Sequence, residues 1–505
     1  MKKTRLDPIT LEIQWKRLVS MVDEASAAFV RTSFSVLVRE ANDFAVVLTD
    51  AQGRSIAQSG LSIPSFIGTL PATVKHFLEV FPAQTLKSGD VMITNDPWMG
   101  TGHIHDVNVA MPIFHKGRLV AFAAVVSHMP DIGGRIRNAG IREIFEEGLQ
   151  IPRLKLIRAG KPDQGVFDMI ARNVRVPEQT LGDIWAQVAA CKMLEERLRP
   201  LLRDTDLDAL GTEIRRRSEA AMRKSIRAVP DGVYRARTQH DGFEEPILIN
   251  CAVTVKGDRI AIDYAGSSPQ VPRAVNVVPI YCFAYSAFAV KALLNPDVPN
   301  NEGSFLPITT SAPLGSIFNP RYPAASGGRG MIGHMMVPAI MMALADVLPG
   351  RAIAEGSSNS SITIAGEHKG RPYAAISFMN AGQGATRHRD GFTMLSFPSN
   401  LANTPIEVFE QMAPVRVIER AIRRGSGGDG LRFEVEAVAD SPMMASMIMT
   451  RFRTAPQGIL GGAPGAVGGL WLNGKPINPA EHWVLGKGDR VVMETAGGGG
   501  CGKPA

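Results

Sequence analysis

The feature that most constrains the fold is a pair of apolar segments separated by a short polar turn. Residues 107–114 alternate roughly between apolar and polar side chains, and residues 119–126 form a continuous apolar run. Both patterns are typical of β-strands. The turn between them, residues 115–118, contains Gly117, which can adopt a positive φ. The sequence therefore predicts a β-hairpin.

The ends of this hairpin bring distant residues together. A two-residue loop places His105 opposite His128, and a longer loop or a bulge shifts the pairing by about one residue. Pro112 has no N–H to donate to the sheet, which indicates an edge strand or a bulge. In either register, residues 103–106 and His128 lie at the same end of the hairpin.

That end of the hairpin collects side chains that bind metal ions. His103, His105 and His128 are three of the ten histidines in the chain, and Asp106 lies among them. Imidazole nitrogen and carboxylate oxygen together suit manganese, iron or zinc, and the lack of a nearby cysteine argues against a structural zinc knot. The register leaves open whether His105 or Asp106 is the ligand. A polar loop with solvated histidines is equally compatible with the spacing.

A further carboxylate enters an apolar segment at Asp43, directly before residues 44–50. A carboxylate at the start of a buried strand is costly unless it is paired or bound to metal. A salt bridge to Arg39 is the alternative.

Composition limits the class of protein. With 505 residues, 45% hydrophobic and 20% charged, the chain is typical of a globular enzyme of two or three domains. The net charge of +7 is spread along the chain without interleaved aromatic residues, so we expect no nucleic-acid partner. Four scattered cysteines without a C-x-x-C pattern fit a reducing cytoplasm. No signal peptide or membrane span is expected, because no long apolar run occurs.

The order of patterns predicts an α/β fold of the mixed α+β kind with several domains. Residues 1–228 are read as a mostly helical N-terminal domain that carries the metal-bearing hairpin. Residues 229–440 mix strands and helices in a central domain, and residues 441–505 form a β-rich C-terminal segment, so the C-terminal half is rich in strands. The first helix is predicted to begin with Asp7 as N-cap and Pro8 at the first helical position.

Landmarks along nearly the whole chain resemble the hydantoinase B/oxoprolinase family, which includes B-like subunits of acetone and acetophenone carboxylases. Each landmark alone is weak, but their number and order are specific. They are Asp7–Glu12, Asp43-Phe44, Asn95–Pro97, His103-x-x-Asp106 with His128, Asp131–Gly134, Glu147-Gly148, Gly182-Asp183 with Ala186-Gln187, Pro299–Gly303, Phe397–Asn400 with Asn403–Pro405, and the terminal glycine run.

The resemblance implies a hydantoinase B-like fold and a first-row divalent metal (Mn, Zn or Fe) bound by His103, Asp106 and His128. It thereby favours Asp106 over His105 as the ligand, and Asp43 becomes the candidate for a fourth. His105 departs from the family pattern, since many relatives carry proline there. The resemblance also implies a partner, an A-type subunit that binds ATP and phosphorylates a substrate oxygen. The absence of a phosphate-loop pattern in this sequence agrees with that division.

The expected function is that of a B-type subunit of an ATP-dependent cyclic amide hydrolase of the hydantoinase, 5-oxoprolinase or lactamase type. The expected assembly is a cytoplasmic hetero-oligomer such as α2β2. His105 or Asp131 is the candidate general base, and Arg329, Arg387 and Arg389 are candidates to bind phosphate or carboxylate groups. The alternatives are a ketone carboxylase subunit and a non-catalytic scaffold for the A-type subunit.

Overall fold

The computed structural model describes residues 7–424 and 427–503. Residues 1–6, on which the expectation about a leader partly rests, lie outside that description, as do residues 425–426 and 504–505. The described part has a mixed α/β architecture with four β-sheets, which confirms the predicted fold class. None of its helices combines the length and apolar character needed to cross a bilayer.

The first part of the chain builds one sheet with helices on both faces. Its elements are α1 (Pro8–Thr32), α2 (Val36–Arg39), β1 (Phe44–Asp50), β2 (Ser55–Gln58), α3 (Pro64–Val80), a short 3-10 helix (Ala83–Thr85), β3 (Val91–Thr94), β4 (Asp106–His115), β5 (Arg118–His128), α4 (Ile144–Glu147), β6 (Leu154–Arg158), β7 (Lys161–Pro162), α5 (Gln164–Asn173), α6 (Pro177–Leu198), α7 (Leu201–Asp204) and α8 (Leu207–Arg227). The seven strands are antiparallel, in the order β2-β1-β5-β4-β3-β6-β7.

Both faces of this sheet are buried, which explains its continuous apolar strands. On β1, Phe44, Val46 and Leu48 belong to the core that also contains residues of α1 and α6. Ala45 and Val47 point the other way, into the core under α3. The central hairpin is therefore held between two helical layers.

The start of α1 agrees with the sequence-based prediction, and the start of α3 does not. Asp7 Oδ1 accepts hydrogen bonds from the backbone N–H groups of Ile9 and Thr10, both at 3.0 Å, as predicted for the N-cap of α1. The sequence places the start of α3 near Leu70, but the helix begins at Pro64. A proline at the first position has no N–H left without a partner, so the Ser/Pro-rich segment is already helical.

The hairpin contains the two-residue turn and also a bulge. Lys116 and Gly117 both have positive φ (49° and 76°), and His115 faces Arg118. Between Ile113 and Phe114 the pairing shifts by one residue, next to the proline that suggested a bulge. As a result Asp106, not His105, lies opposite His128.

The middle of the chain forms a second, smaller sheet covered by helices. Its elements are β8 (Gly232–His240), β9 (Ile247–Lys256), β10 (Arg259–Asp263), α9 (Pro279–Leu294), a second 3-10 helix (Glu302–Phe305), β11 (Ile308–Ser311), α10 (Gly330–Gly333) and α11 (Met336–Ala343). The strand order is β11-β10-β9-β8, with β10 and β11 parallel. Apolar residues of α9, α11 and these strands share one core.

The remaining strands form two sheets that share a core. The elements are β12 (Ser360–His368), β13 (Arg371–Met379), α12 (Ile406–Met412), β14 (Val415–Arg423), β15 (Gly430–Ala437), β16 (Met443–Ile448), β17 (Gly469–Leu472), β18 (Lys475–Pro476), β19 (His482–Leu485) and β20 (Arg490–Glu494). The sheets run β13-β12-β16-β19 and β14-β15-β20-β17-β18. In each sheet, a strand that precedes residue 440 pairs with a strand that follows it. The domain boundary predicted at residue 440 therefore divides both sheets.

Candidate metal centre

Three segments of the chain meet at the open end of the β4–β5 hairpin. The backbone N–H of His128, at the end of β5, donates to the carbonyl of Asp43 at 3.1 Å. The N–H of Met129 donates to the carbonyl of His105 at 2.8 Å. These bonds fix the start of β1 and the loop before β4 against the end of β5.

The side chains of His103, Asp106 and His128 converge there. Asp106 Oδ1 lies 2.7 Å from His103 Nε2 and 3.0 Å from His128 Nδ1. One ligand atom from each residue lies within 4.8 Å of the others, and all three side chains are buried. This group can hold a metal ion.

The state of His103 fits a ligand. Its Nδ1 lies 3.1 Å from the Gly327 carbonyl oxygen, to which it can donate only if that nitrogen carries the proton. Its Nε2 then carries no proton, and the lone pair of this nitrogen points toward Asp106. Nε2 makes no hydrogen bond to any described residue. Burial and the nearby Arg329 lower the pKa of His103 to about 3, so the ring is neutral, as coordination requires.

Asp106 is oriented by groups behind it. Its second oxygen, Oδ2, accepts hydrogen bonds from Thr101 Oγ1 at 2.8 Å and from Arg329 Nη2 at 2.7 Å, which turns Oδ1 toward the histidines. Burial alone would raise the pKa of Asp106, but the Arg329 guanidinium and the hydrogen-bonding groups around the carboxylate outweigh it and hold the pKa well below its usual range. Gly102 (φ 98°) is required here, since a Cβ would lie 2.8 Å from Arg329 Nε.

Asp43 and His105 border the three ligand candidates. Asp43 Oδ2 is 3.9 Å from His128 Nδ1, and burial raises the pKa of Asp43 to about 6. The ring of His105 stacks on that of His128, with centroids 5.5 Å apart. Their roles as fourth ligand and general base remain predictions.

The other candidates are distributed differently from what we expected. Arg329 is brought to the centre, but its Nη2 and Nε are engaged with Asp106 and the Thr101 carbonyl. Asp131 is held elsewhere by an ion pair with Arg175 at 2.6 Å.

Arg387 and Arg389 are exposed on the glycine-rich loop after β13, where the guanidinium of Arg389 lies over the ring of Phe392. Neither arginine lines the cavity beside His103, Asp106 and His128, and neither does Asp131, whose carboxylate is paired with Arg175. They have no part in the mechanism proposed below.

Two family landmarks on α6 support the centre from behind. Asp183 accepts the N–H of Phe34 at 2.7 Å, and Gln187 Nε2 donates to the Val107 carbonyl at 2.8 Å and to Ser127 Oγ at 3.0 Å. In the sequence, Asp183 and Gln187 lie one helical turn apart on the face opposite an apolar stripe, which predicts an outer position for both. Both are buried, because α6 lies between α1 and the sheet.

Several residues of the site were missed by sequence reasoning. The cavity beside the metal group, about 60 Å³, is also lined by Arg137, Tyr281, Tyr285, His334 and Ser361. They come from four separate parts of the chain, so no local spacing connects them. The one available signal was His334, which interrupts the methionine-rich segment that begins at Met331. The apolar pattern of that segment predicts a helix in the core.

Glu147 anchors the loop that carries Arg329. Its Oε1 accepts the N–H groups of Ser326 at 2.7 Å and Gly327 at 2.5 Å, while Oε2 has no hydrogen-bond partner in the described part of the chain. Burial raises the pKa of Glu147 to about 7. The Gly327 carbonyl in turn faces His103, so this carboxyl indirectly positions a ligand candidate.

This shift predicts a pH-dependent stability. The folded chain binds the Glu147 proton more tightly than the unfolded chain, so ionising this carboxyl destabilises the fold. The resulting loss of unfolding free energy is absent below about pH 4.5 and grows as the pH rises to about 7. We expect Glu147→Gln, which keeps an acceptor oxygen, to gain up to about 3 kcal/mol relative to wild type across that window. Urea unfolding from pH 4.5 to 8 measures it. Glu146→Gln is the control, since the pKa of Glu146 is lowered; equal pH slopes for Glu147→Gln and wild type would contradict the prediction.

Comparison with known proteins agrees with this architecture. A family model described as hydantoinase B/oxoprolinase matches residues 7–504. The chain belongs to the hydantoinase B/oxoprolinase family. The putative B subunit of a D-/L-hydantoinase from Pseudomonas sp. (strain NS671) is 28% identical, with 99% of this chain and 90% of that protein aligned. The beta subunit of the Pseudomonas jessenii caprolactamase is also 28% identical, over 99% of this chain and 91% of that protein.

In longer family members, only one portion of the protein is similar to this chain. The 5-oxoprolinase of Dictyostelium discoideum is 28% identical over 99% of this chain, which spans 41% of that protein. Among solved structures, the ATP-dependent caprolactamase from Pseudomonas jessenii has a TM-score of 0.89 at 26% identity, covering 99% of this chain and 92% of that one. Acetone carboxylase shares the fold, with a TM-score of 0.89 at 19% identity over 99% of this chain and 76% of that one.

Proposed function

We propose that this chain is the B-type subunit of an ATP-dependent cyclic amide hydrolase and opens a lactam or hydantoin ring at the His103–Asp106–His128 centre. The observation that carries the proposal is this buried group, facing a cavity, in a member of a family whose relatives are named for amide hydrolysis. The names of two relatives describe subunits, which supports a partner chain.

The chemistry explains why ATP is needed. An unstrained amide resists water, and phosphorylation of its carbonyl oxygen by the partner makes the carbon electrophilic. Water then adds to that carbon, and the C–N bond breaks with a proton passing to nitrogen, which leaves an acyl phosphate. A second water molecule hydrolyses the acyl phosphate and releases phosphate and the free carboxylate. Overall, one amide, one ATP and two water molecules give the ring-opened amino acid, ADP and phosphate.

His103, Asp106 and His128 would hold the ion, with Asp43 as a fourth ligand. A divalent ion bound there would lower the pKa of a water molecule and polarise the substrate oxygen. The residues of the chain orient that reaction: Thr101 and Arg329 fix Asp106, and the Gly327 carbonyl fixes His103. His105 does not line the cavity itself, but its ring stacks against that of His128, and it is the candidate to take the proton of the attacking water.

The test is turnover by this chain produced together with an ATP-binding A-type partner. Hydantoins, 5-oxoproline and lactams are supplied with ATP, and ADP and the ring-opened product are measured. We expect one substrate class to give both products in equal amounts, and only with both chains present. Full turnover by the partner alone would instead make this chain a scaffold.

A ketone carboxylase is the second candidate, supported by the fold shared with acetone carboxylase. In that reaction the same centre would stabilise an enolate that attacks activated bicarbonate. Labelled bicarbonate separates the two, because a carboxylase incorporates the label from ketone substrates and a cyclic amide hydrolase does not.

A further inference from the structure

We propose that Arg137 is the oxyanion-binding residue of this cavity and that it receives the phosphoryl group of the activated substrate. The inference rests on the proposed function, because it assumes that the substrate reaches the metal centre in its phosphorylated form. It depends on the position of Arg137, on the lack of a carboxylate within ion-pair distance of it and on the net charge of the cavity.

Arg137 lies beside the metal group. Its Nε donates to the Gly327 carbonyl oxygen at 2.9 Å, and His103 Nδ1 contacts the same oxygen at 3.1 Å, so the guanidinium and the imidazole share one acceptor. At its other end, Arg137 Nη1 reaches Ser361 Oγ at 3.4 Å, on β12. The guanidinium thus spans the cavity between the metal group and the hydroxyl-bearing wall.

Arg137 is half-buried and lacks the carboxylate partner that the fully buried arginines of the described chain have. Arg215, Arg329 and Arg451 each form an ion pair with a carboxylate, at 3.0, 2.7 and 2.8 Å. Within residues 7–424 and 427–503, no carboxylate lies within ion-pair distance of Arg137. Burial and Arg329 lower the pKa of Arg137 to about 10, so it stays cationic at neutral pH. A partly desolvated cation with no carboxylate at ion-pair distance is costly, and an anionic ligand in contact with it would lower that cost.

The charges of the cavity favour a dianion. Asp43 and Asp106 balance Arg137 and Arg329, so a bound divalent ion leaves about two positive charges. A phosphoryl ester carries about −1.5 to −2 at neutral pH, a carboxylate carries one negative charge, and a lactam carries none. Ser358 and Ser361 add hydroxyl groups on the same wall, and these can donate to the remaining phosphoryl oxygens.

A purely structural role for Arg137 makes a different prediction. If the residue only braces Gly327, its loss disturbs His103 and weakens metal binding together with everything else. If it binds the phosphoryl group, its loss weakens phosphate binding while the metal stays. The two roles are therefore separated by measuring metal and phosphate independently, without the A-type partner or turnover.

The experiment loads the full chain with Mn²⁺ and follows inorganic phosphate by ³¹P relaxation, with metal content measured in parallel. We expect phosphate to be relaxed by the bound Mn²⁺. We expect Arg137→Met to weaken phosphate at least about 10-fold with metal content unchanged, as for the loss of a charge-assisted hydrogen bond. Arg137→Lys, which keeps the charge but not the planar fork, should weaken phosphate less. Arg158→Met removes an exposed arginine paired with Asp163 and should behave as wild type.

Three results would overturn the proposal. Unchanged phosphate binding in Arg137→Met excludes Arg137 as the anion site. Parallel loss of metal in both the Met and Lys variants assigns a bracing role instead. Acetate binding as tightly as phosphate in wild type assigns the site to a substrate carboxylate. Phosphate bound through Arg137 without any amide turnover would instead refute the proposed function and leave this assignment standing.

Discussion

Replacing His128 with alanine is expected to abolish both metal binding and ATP-dependent ring opening. The three candidate ligands are buried, and Asp106 lies within hydrogen-bond distance of both histidines, so the remaining His103 and Asp106 would form an incomplete site. Loss of one ligand of three should lower metal affinity about 10²-fold or more, whereas loss of an outer-shell group costs roughly 10- to 100-fold. Thr101→Val, which removes only the hydroxyl behind Asp106, is therefore expected to have the smaller effect.

Metal content by elemental analysis and turnover of the complex provide the readouts. The matched control is His115→Ala, at the closed end of the same hairpin, which should keep metal and activity. If His103→Ala and His128→Ala both retain full metal and full activity, the centre is not the reaction site.

The local part of this centre could be predicted because one hairpin builds it. Alternation, an apolar run and a glycine turn determine two neighbouring strands, so the segment 103–106 and His128 had to meet at one end. The exact register could not be predicted, since Pro112 indicated either an edge strand or a bulge, and only the structure shows the bulge between Ile113 and Phe114.

The remote part of the centre could not be predicted from spacing. Arg137, Tyr281 and His334 reach the cavity because α9, α10 and the first sheet pack together, which is a tertiary event without a local signature. The same limit explains Asp131, where only the fold shows that Arg175 takes up its carboxylate. The family resemblance supplied the order of landmarks, and many of them, such as Asp183 and Gln187, prove to be hydrogen-bonding supports.

The boundary expected at residue 440 shows the corresponding limit for the fold. Composition indicated a strand-rich segment there, but strand pairing over long sequence distances determines which sheet each strand joins. β12 pairs with β16, and β15 pairs with β20, so residues on both sides of the expected boundary share one core. Such contacts leave no periodic signal in the sequence.

The largest effect on stability is expected at Arg451, which ties this C-terminal core to the middle of the chain. Its Nη2 lies 2.8 Å from Glu355 Oε2 with both side chains fully buried, and its Nη1 donates to the Gln239 carbonyl at 3.2 Å. Arg451→Met leaves the Glu355 charge buried without a partner. We expect this change to cost about 3–5 kcal/mol of unfolding free energy, measured by urea denaturation at pH 7.

A second substitution, at Glu355, shows whether the destabilisation comes from the lost contacts of Arg451 or from the unpaired charge of Glu355. If the cost arises from the unpaired carboxylate, Arg451→Met/Glu355→Gln should recover much of the stability, because the amide oxygen can still accept the Gln457 N–H that Glu355 now accepts at 2.8 Å. Lys487→Met breaks an ion pair whose partners are 65% and 87% exposed, and it should leave the unfolding midpoint unchanged. A double variant as unstable as Arg451→Met would show that the guanidinium acts through its contacts with Gln239 and not through the buried charge.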